Sequence, residues 1–75
     1  MAAAKMTEAQ LAFLSRFVAR GWLHATRDDA FEQDAVDAGL RKRYLRRELG
    51  EAHFTPRGRA ALHPTQQPPQ AGDGQ

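Results

Sequence analysis

Seven basic side chains crowd one short stretch of this sequence: Arg41, Lys42, Arg43, Arg46, Arg47, Arg57 and Arg59, against only Glu48 and Glu51. Guanidinium forks match the oxygens of phosphate and carboxylate groups. A cluster of this size attracts a polyanion, with an affinity that falls as salt rises. Tyr44 and Phe54 interleave with the bases, and that mixture suits nucleic acid. The preceding stretch has the opposite sign, with Asp28, Asp29, Glu32, Asp34 and Asp37. These acids suit docking to a basic partner. They also suit the first turns of a helix, whose dipole favours negative charge. The net charge of +2 conceals this division into an acidic and a basic block.

The remaining polar residues assemble no catalytic or metal constellation. His24, His53 and His63 fall on three separate segments, with none of the spacings that place two ligands on one helix face. Asp28 with Glu32, and Asp34 with Asp37, share helix faces, but paired carboxylates need a cleft and unequal environments to act as acid and base. There is no glycine-rich phosphate loop and no nucleophile motif. The expectation is a non-enzymatic chain without a cofactor. With 75 residues there is material for one domain and no deep cleft. The absence of cysteine excludes disulfides and thiolate metal sites, which favours the cytoplasm over secretion. No apolar run is long enough for a signal peptide or a membrane span.

The elements that must position these residues follow from periodicity and capping. Thr7 and Gln10 have capping-box spacing, and Leu11, Leu14, Val18 and Trp22, with Phe17 beside them, form a helical apolar stripe. A first helix is expected over 7–20, ending before Gly21. Residues 21–25 read as a connector, with Trp22 and Leu23 anchoring it to the core. The alternative for Trp22 and Tyr44 is stacking on bases. Thr26 is the expected cap of a second helix over 27–41, with Asp28 and Asp29 in its first turn. Residues 44–49 and 53–55 read as the strands of a hairpin whose loop contains Gly50. Tyr44, Leu45 and Phe54 are expected to face the core. Thr55 and Pro56 then open a short closing helix. From Pro64 the sequence has no apolar side chain larger than alanine, so residues 64–75 are expected to be disordered. Residues 1–6 are expected to be flexible, and 7–63 to form one domain.

Two runs resemble the winged-helix regulators of the MarR kind. Ala35 to Glu48, AVDAGLRKRYLRRE, resembles their recognition helix and first wing strand. His53 to Leu62, HFTPRGRAAL, resembles their return strand and closing helix, with Thr55, Gly58 and Arg59 at the family's spacing. The resemblance implies an α+β, winged-helix-like fold and DNA binding in transcription regulation. The chain departs from that family between Trp22 and Leu40. That span suits one ordinary helix or two very short ones, and the segment is acidic where such proteins face base edges.

Two functions follow. One is a winged-helix-like nucleic-acid-binding regulator that grips phosphates through its basic wing. The other is a protein-binding adaptor or inhibitor, of the kind phages and mobile elements encode, docking through its acidic helix or its basic wing. A homodimer formed through the first helix is compatible with either, since small domains gain core by pairing.

Overall fold

A computed structural model describes residues 5–62. Its elements are α1 (Glu8–Ser15), β1 (Trp22–His24), α2 (Ala30–Arg41), β2 (Leu45–Glu48), β3 (Glu51–Phe54) and α3 (Pro56–Ala61). The fold is α+β, as expected, with helix, hairpin and closing helix in the second half. The expected tail and His63 lie outside the described residues, as do positions 1–4. Met6, expected in the flexible N-terminus, is instead buried in the core.

The capping box of α1 forms as its chemistry requires. The Thr7 Oγ1 accepts from the Gln10 amide at 3.0 Å, and the Gln10 Oε1 accepts from the Thr7 amide at 3.0 Å. The helix ends at Ser15, five residues before its expected end. Beyond it the winding tightens to three-residue hydrogen bonds, Arg16 to Phe13 at 3.2 Å and Phe17 to Leu14 at 2.9 Å. The tighter turns keep Val18 buried and leave Phe17 half-buried. Gly21, at φ +97°, then reverses the chain in a region glycine enters freely.

Residues 22–24 form a strand, not a connector. They pair antiparallel with β3, Trp22 opposite His53 and His24 opposite Glu51, so the sheet order is β1-β3-β2. Leu23 is fully buried, whereas Trp22 is directed to the opposite sheet face. The expectation that Trp22 packs in the core is therefore corrected. Alternation along a strand sends its neighbours to opposite faces, and Leu23 takes the inner one.

The second helix begins at Ala30 and its cap is Asp29, whose Oδ2 accepts from the Glu32 amide at 3.1 Å. Thr26 does not cap it. The Gln33 side chain holds the preceding loop extended, its Oε1 accepting from the Arg27 amide at 2.7 Å and its Nε2 donating to the Ala25 carbonyl at 2.9 Å. A helix over residues 27–29 would break that bridge.

The hairpin closes with only two turn residues, Leu49 at φ 51° and Gly50 at φ 80°. Both-positive φ is the pattern of a type I′ turn, which matches the right-handed twist of the strands. Leu45 pairs with Phe54 and Arg47 with Ala52, so Glu51 and Ala52 belong to the strand rather than to the loop. The inner faces of the sheet and helices enclose Phe13, Leu14, Val18, Leu23, Val36, Leu45, Phe54 and Leu62. Gly39 lets β2 close on α2. A Cβ there would stand 2.7 Å from the Leu45 Cδ1 and 3.1 Å from the Leu14 Cδ1.

Candidate nucleic-acid interface

The basic residues are placed by the way α2 ends. Lys42 is its C-cap, and Arg43 follows at φ 66°. The Arg43 amide donates to the Leu40 carbonyl at 3.1 Å, and the Tyr44 amide donates to the Gly39 carbonyl at 2.9 Å. These two bonds form a Schellman motif, which turns the chain sharply from helix into strand. Glycine normally fills the left-handed position. Here an exposed arginine occupies it.

The start of α3 locks onto this turn. The Thr55 Oγ1 donates to the Arg43 carbonyl at 2.6 Å and accepts from the Gly58 amide at 3.0 Å. The Arg57 Nε donates to the Lys42 carbonyl at 3.1 Å. Arg57 is thereby brought beside Lys42 and Arg43, fifteen residues earlier in the chain. With Arg41 in the last turn of α2, four of the seven predicted bases gather at one junction. Among the described residues, none of the four forms an ion pair with a carboxylate. The backbone carbonyls at the end of α2 add the negative partial charge of the helix dipole beside them.

The other three bases are dispersed. Arg46 stands opposite His53 on the outer sheet face, with its Nη1 2.7 Å from the Glu48 Oε1. Arg47 is exposed on the inner-face side of the same strand. Arg59 lies against Gly21 at the turn before β1. Residues two apart on a helix diverge by about 200°, so Arg57 and Arg59 serve different sides of α3. Phe54 is part of the core and closed to solvent, and Tyr44 is half-buried against that core. Neither forms an open stacking platform.

The acidic block is also divided. Asp29 is committed to capping. Glu32 is paired with Arg27, its Oε1 3.1 Å from Nη2 and 3.2 Å from Nε. Asp37 accepts from the Gln33 Nε2 at 3.3 Å. Asp28 and Asp34 remain exposed. Asp34 and Asp37 share a surface groove with Lys5, Arg41 and Lys42, so acid and base meet at the end of α2 without forming a direct ion pair. At the wing tip Glu51 is bound by His53, Oε1 to Nε2 3.0 Å.

One surface of aromatic rings carries arginines that lie outside the residues expected from the sequence to bind. The Arg20 guanidinium lies 4.2 Å from the Trp22 ring centre, and its Nε donates to the Trp22 carbonyl at 2.9 Å. His24 meets the indole edge-on at 5.2 Å. Arg27 lies over Phe13 and Phe17, at 5.5 and 5.6 Å. The signal was the spacing of Arg16, Arg20 and Arg27 beside Phe17 and Trp22. Reading Trp22 as core concealed it. Cation–π pairs of this kind supply local rigidity.

No family model, no curated protein and no solved structure matches this chain.

Proposed function

We propose that this chain is a non-enzymatic nucleic-acid-binding module of winged-helix-like build. It holds the phosphate backbone with Arg41, Lys42, Arg43 and Arg57, and Arg46 and Arg47 extend the contact along the wing. The observation that carries the reading is the junction at the end of α2. There the Schellman turn and the Thr55 cap draw four unpaired bases together from two distant stretches of chain. A solvated charged face needs no such convergence. The mode is backbone contact rather than base readout, since the first turn of α2 carries the Asp29 cap and the Glu32 pair and repels phosphate. A MarR-like regulatory role belongs to this proposal and rests on the resemblance of residues 35–62.

Fluorescence anisotropy with a labelled duplex and with a single strand of equal length tests it. Binding is expected at low salt, with log affinity falling against log salt by about 0.9 per duplex phosphate neutralised, hence a slope of about −3 to −4 for the four junction bases and about −5 with Arg46 and Arg47 engaged as well. Absence of binding to either probe at low salt overturns the proposal. It would direct attention to the protein-docking reading, for which the exposed Asp28 and Asp34 are the remaining support.

A further inference from the structure

The outward side of α1 carries Glu8, Ala9 and Ala12, with Arg16 following as its C-cap, all exposed. Beside it stands Phe31, from the first turn of α2. Its ring packs edge-on against Phe13, with centroids 6.1 Å apart and planes at 74°. It is nevertheless 43% exposed. Ala9, Ala12, Phe13 and Phe31 line one shallow hollow together with the charged side chains of Arg16 and Glu32.

Glu8, Ala12 and Arg16 recur every four residues, so they share one side of the helix. The acid lies one turn before the alanine and the base one turn after it. This order is antisymmetric in charge about Ala12. Two antiparallel copies of α1, related by a twofold axis at Ala12, place each Glu8 opposite the Arg16 of the other copy. The small side chains at Ala9 and Ala12 let the helix axes approach to the ~8 Å of close helix packing. The same axis brings both Phe31 rings to one side of the helix pair, where each covers apolar surface of the other copy. Among the described residues neither Glu8 nor Arg16 has an ion-pair partner within the chain.

We propose that this side of α1, together with Phe31, is a self-docking surface that pairs two copies of the chain in an isologous dimer. The occupant is fixed by charge complementarity, since the surface supplies both members of each ion pair. Phe31 lies at the opposite end of α2 from the basic junction, about 18 Å away over the 12 residues of that helix. The Glu8 end of the surface is nearer, since Thr7 and Gln10 share a groove with Arg41 and Lys42. The dimer does not depend on nucleic-acid binding.

Sedimentation equilibrium of the full chain, without nucleic acid, tests the proposal. A monomer–dimer equilibrium is expected with a Kd below about 1 mM. Glu8→Arg and Arg16→Glu should each weaken it by about tenfold, because each turns two attractive pairs into two repulsive ones. The double variant should return the affinity to within about threefold of the original, which loss of helix structure would not do. Phe31→Ser, at an exposed position, should weaken dimerisation while the far-ultraviolet circular dichroism stays unchanged. Either of two results overturns the proposal. One is a chain that stays monomeric through that range, which leaves the surface to a different protein. The other is a double variant no better than the single ones.

Discussion

The Thr55 hydroxyl joins two turns at once, donating to the Arg43 carbonyl at 2.6 Å while it caps α3 through the Gly58 amide. Removing it frees both ends. Thr55→Ala should lower stability by about 1–2 kcal/mol, the range of an N-cap loss, and weaken nucleic-acid binding by loosening Arg43 and Arg57. Thr55→Ser keeps the oxygen and should restore most of both. Urea unfolding and anisotropy on the same samples measure the two effects.

Arg43 occupies a left-handed position at φ 66°, where a side chain clashes with its own backbone. Arg43→Gly should therefore stabilise the chain by about 1 kcal/mol. The same change removes one of the proposed phosphate contacts, so affinity should fall and the salt slope should flatten by about one unit. Opposite movements of melting temperature and affinity are the expected signature. A variant that loses both stability and affinity would speak against a functional reason for the strain.

Gly58 and Gly39 should respond differently to alanine. A Cβ at Gly58 would run into the backbone carbonyl of Tyr44, which α3 and the Schellman turn hold in place. Gly58→Ala should cost about 3 kcal/mol, the upper range of overpacking, and leave most of so small a domain unfolded. At Gly39 the obstacles are the flexible ends of Leu45 and Leu14. The helix gains about 1 kcal/mol from alanine, so Gly39→Ala should change stability by less than that. Thermal melts of the two variants distinguish these outcomes.

Leu49 is 97% exposed at φ 51°, a conformation leucine disfavours, in the turn of the hairpin. Asparagine before glycine is the preferred pair for this turn. Leu49→Asn should raise stability by roughly 0.5–1 kcal/mol, read as a higher melting temperature with unchanged affinity for phosphate.

Much of this architecture was legible because its chemistry is local. The Thr7–Gln10 box and the Thr55–Pro56 start declare themselves within four residues. Leu14 and Val18 declare the buried side of α1 by period. The strand β1 was not legible. Three residues show no period, and the partner of Trp22, His53, lies far along the chain. Thr26 and Asp29 are both competent caps, and the choice between them falls to Gln33, a tertiary contact. At the site the bases were readable by type but not by grouping. Arg57 joins the junction and Arg59 leaves it because a helix turns them apart. Phe13, in the core, lies within the expected first helix but outside the stripe of Leu11, Leu14, Val18 and Trp22.

The wing carries its charges in an ordered sequence along its length. Arg43 sits at its root, Arg46 and Arg47 along the strand, and Glu48 and Glu51 at the tip, opposite each other across the turn. Four strand residues span only about 13 Å, so the gradient is steep. Near any polyanion the root is drawn in and the tip is pushed out. If the chain binds nucleic acid as proposed, the hairpin would act as a compass needle, turning the molecule before contact so that the end of α2 arrives first. Its short reach would limit how far it wraps a strand.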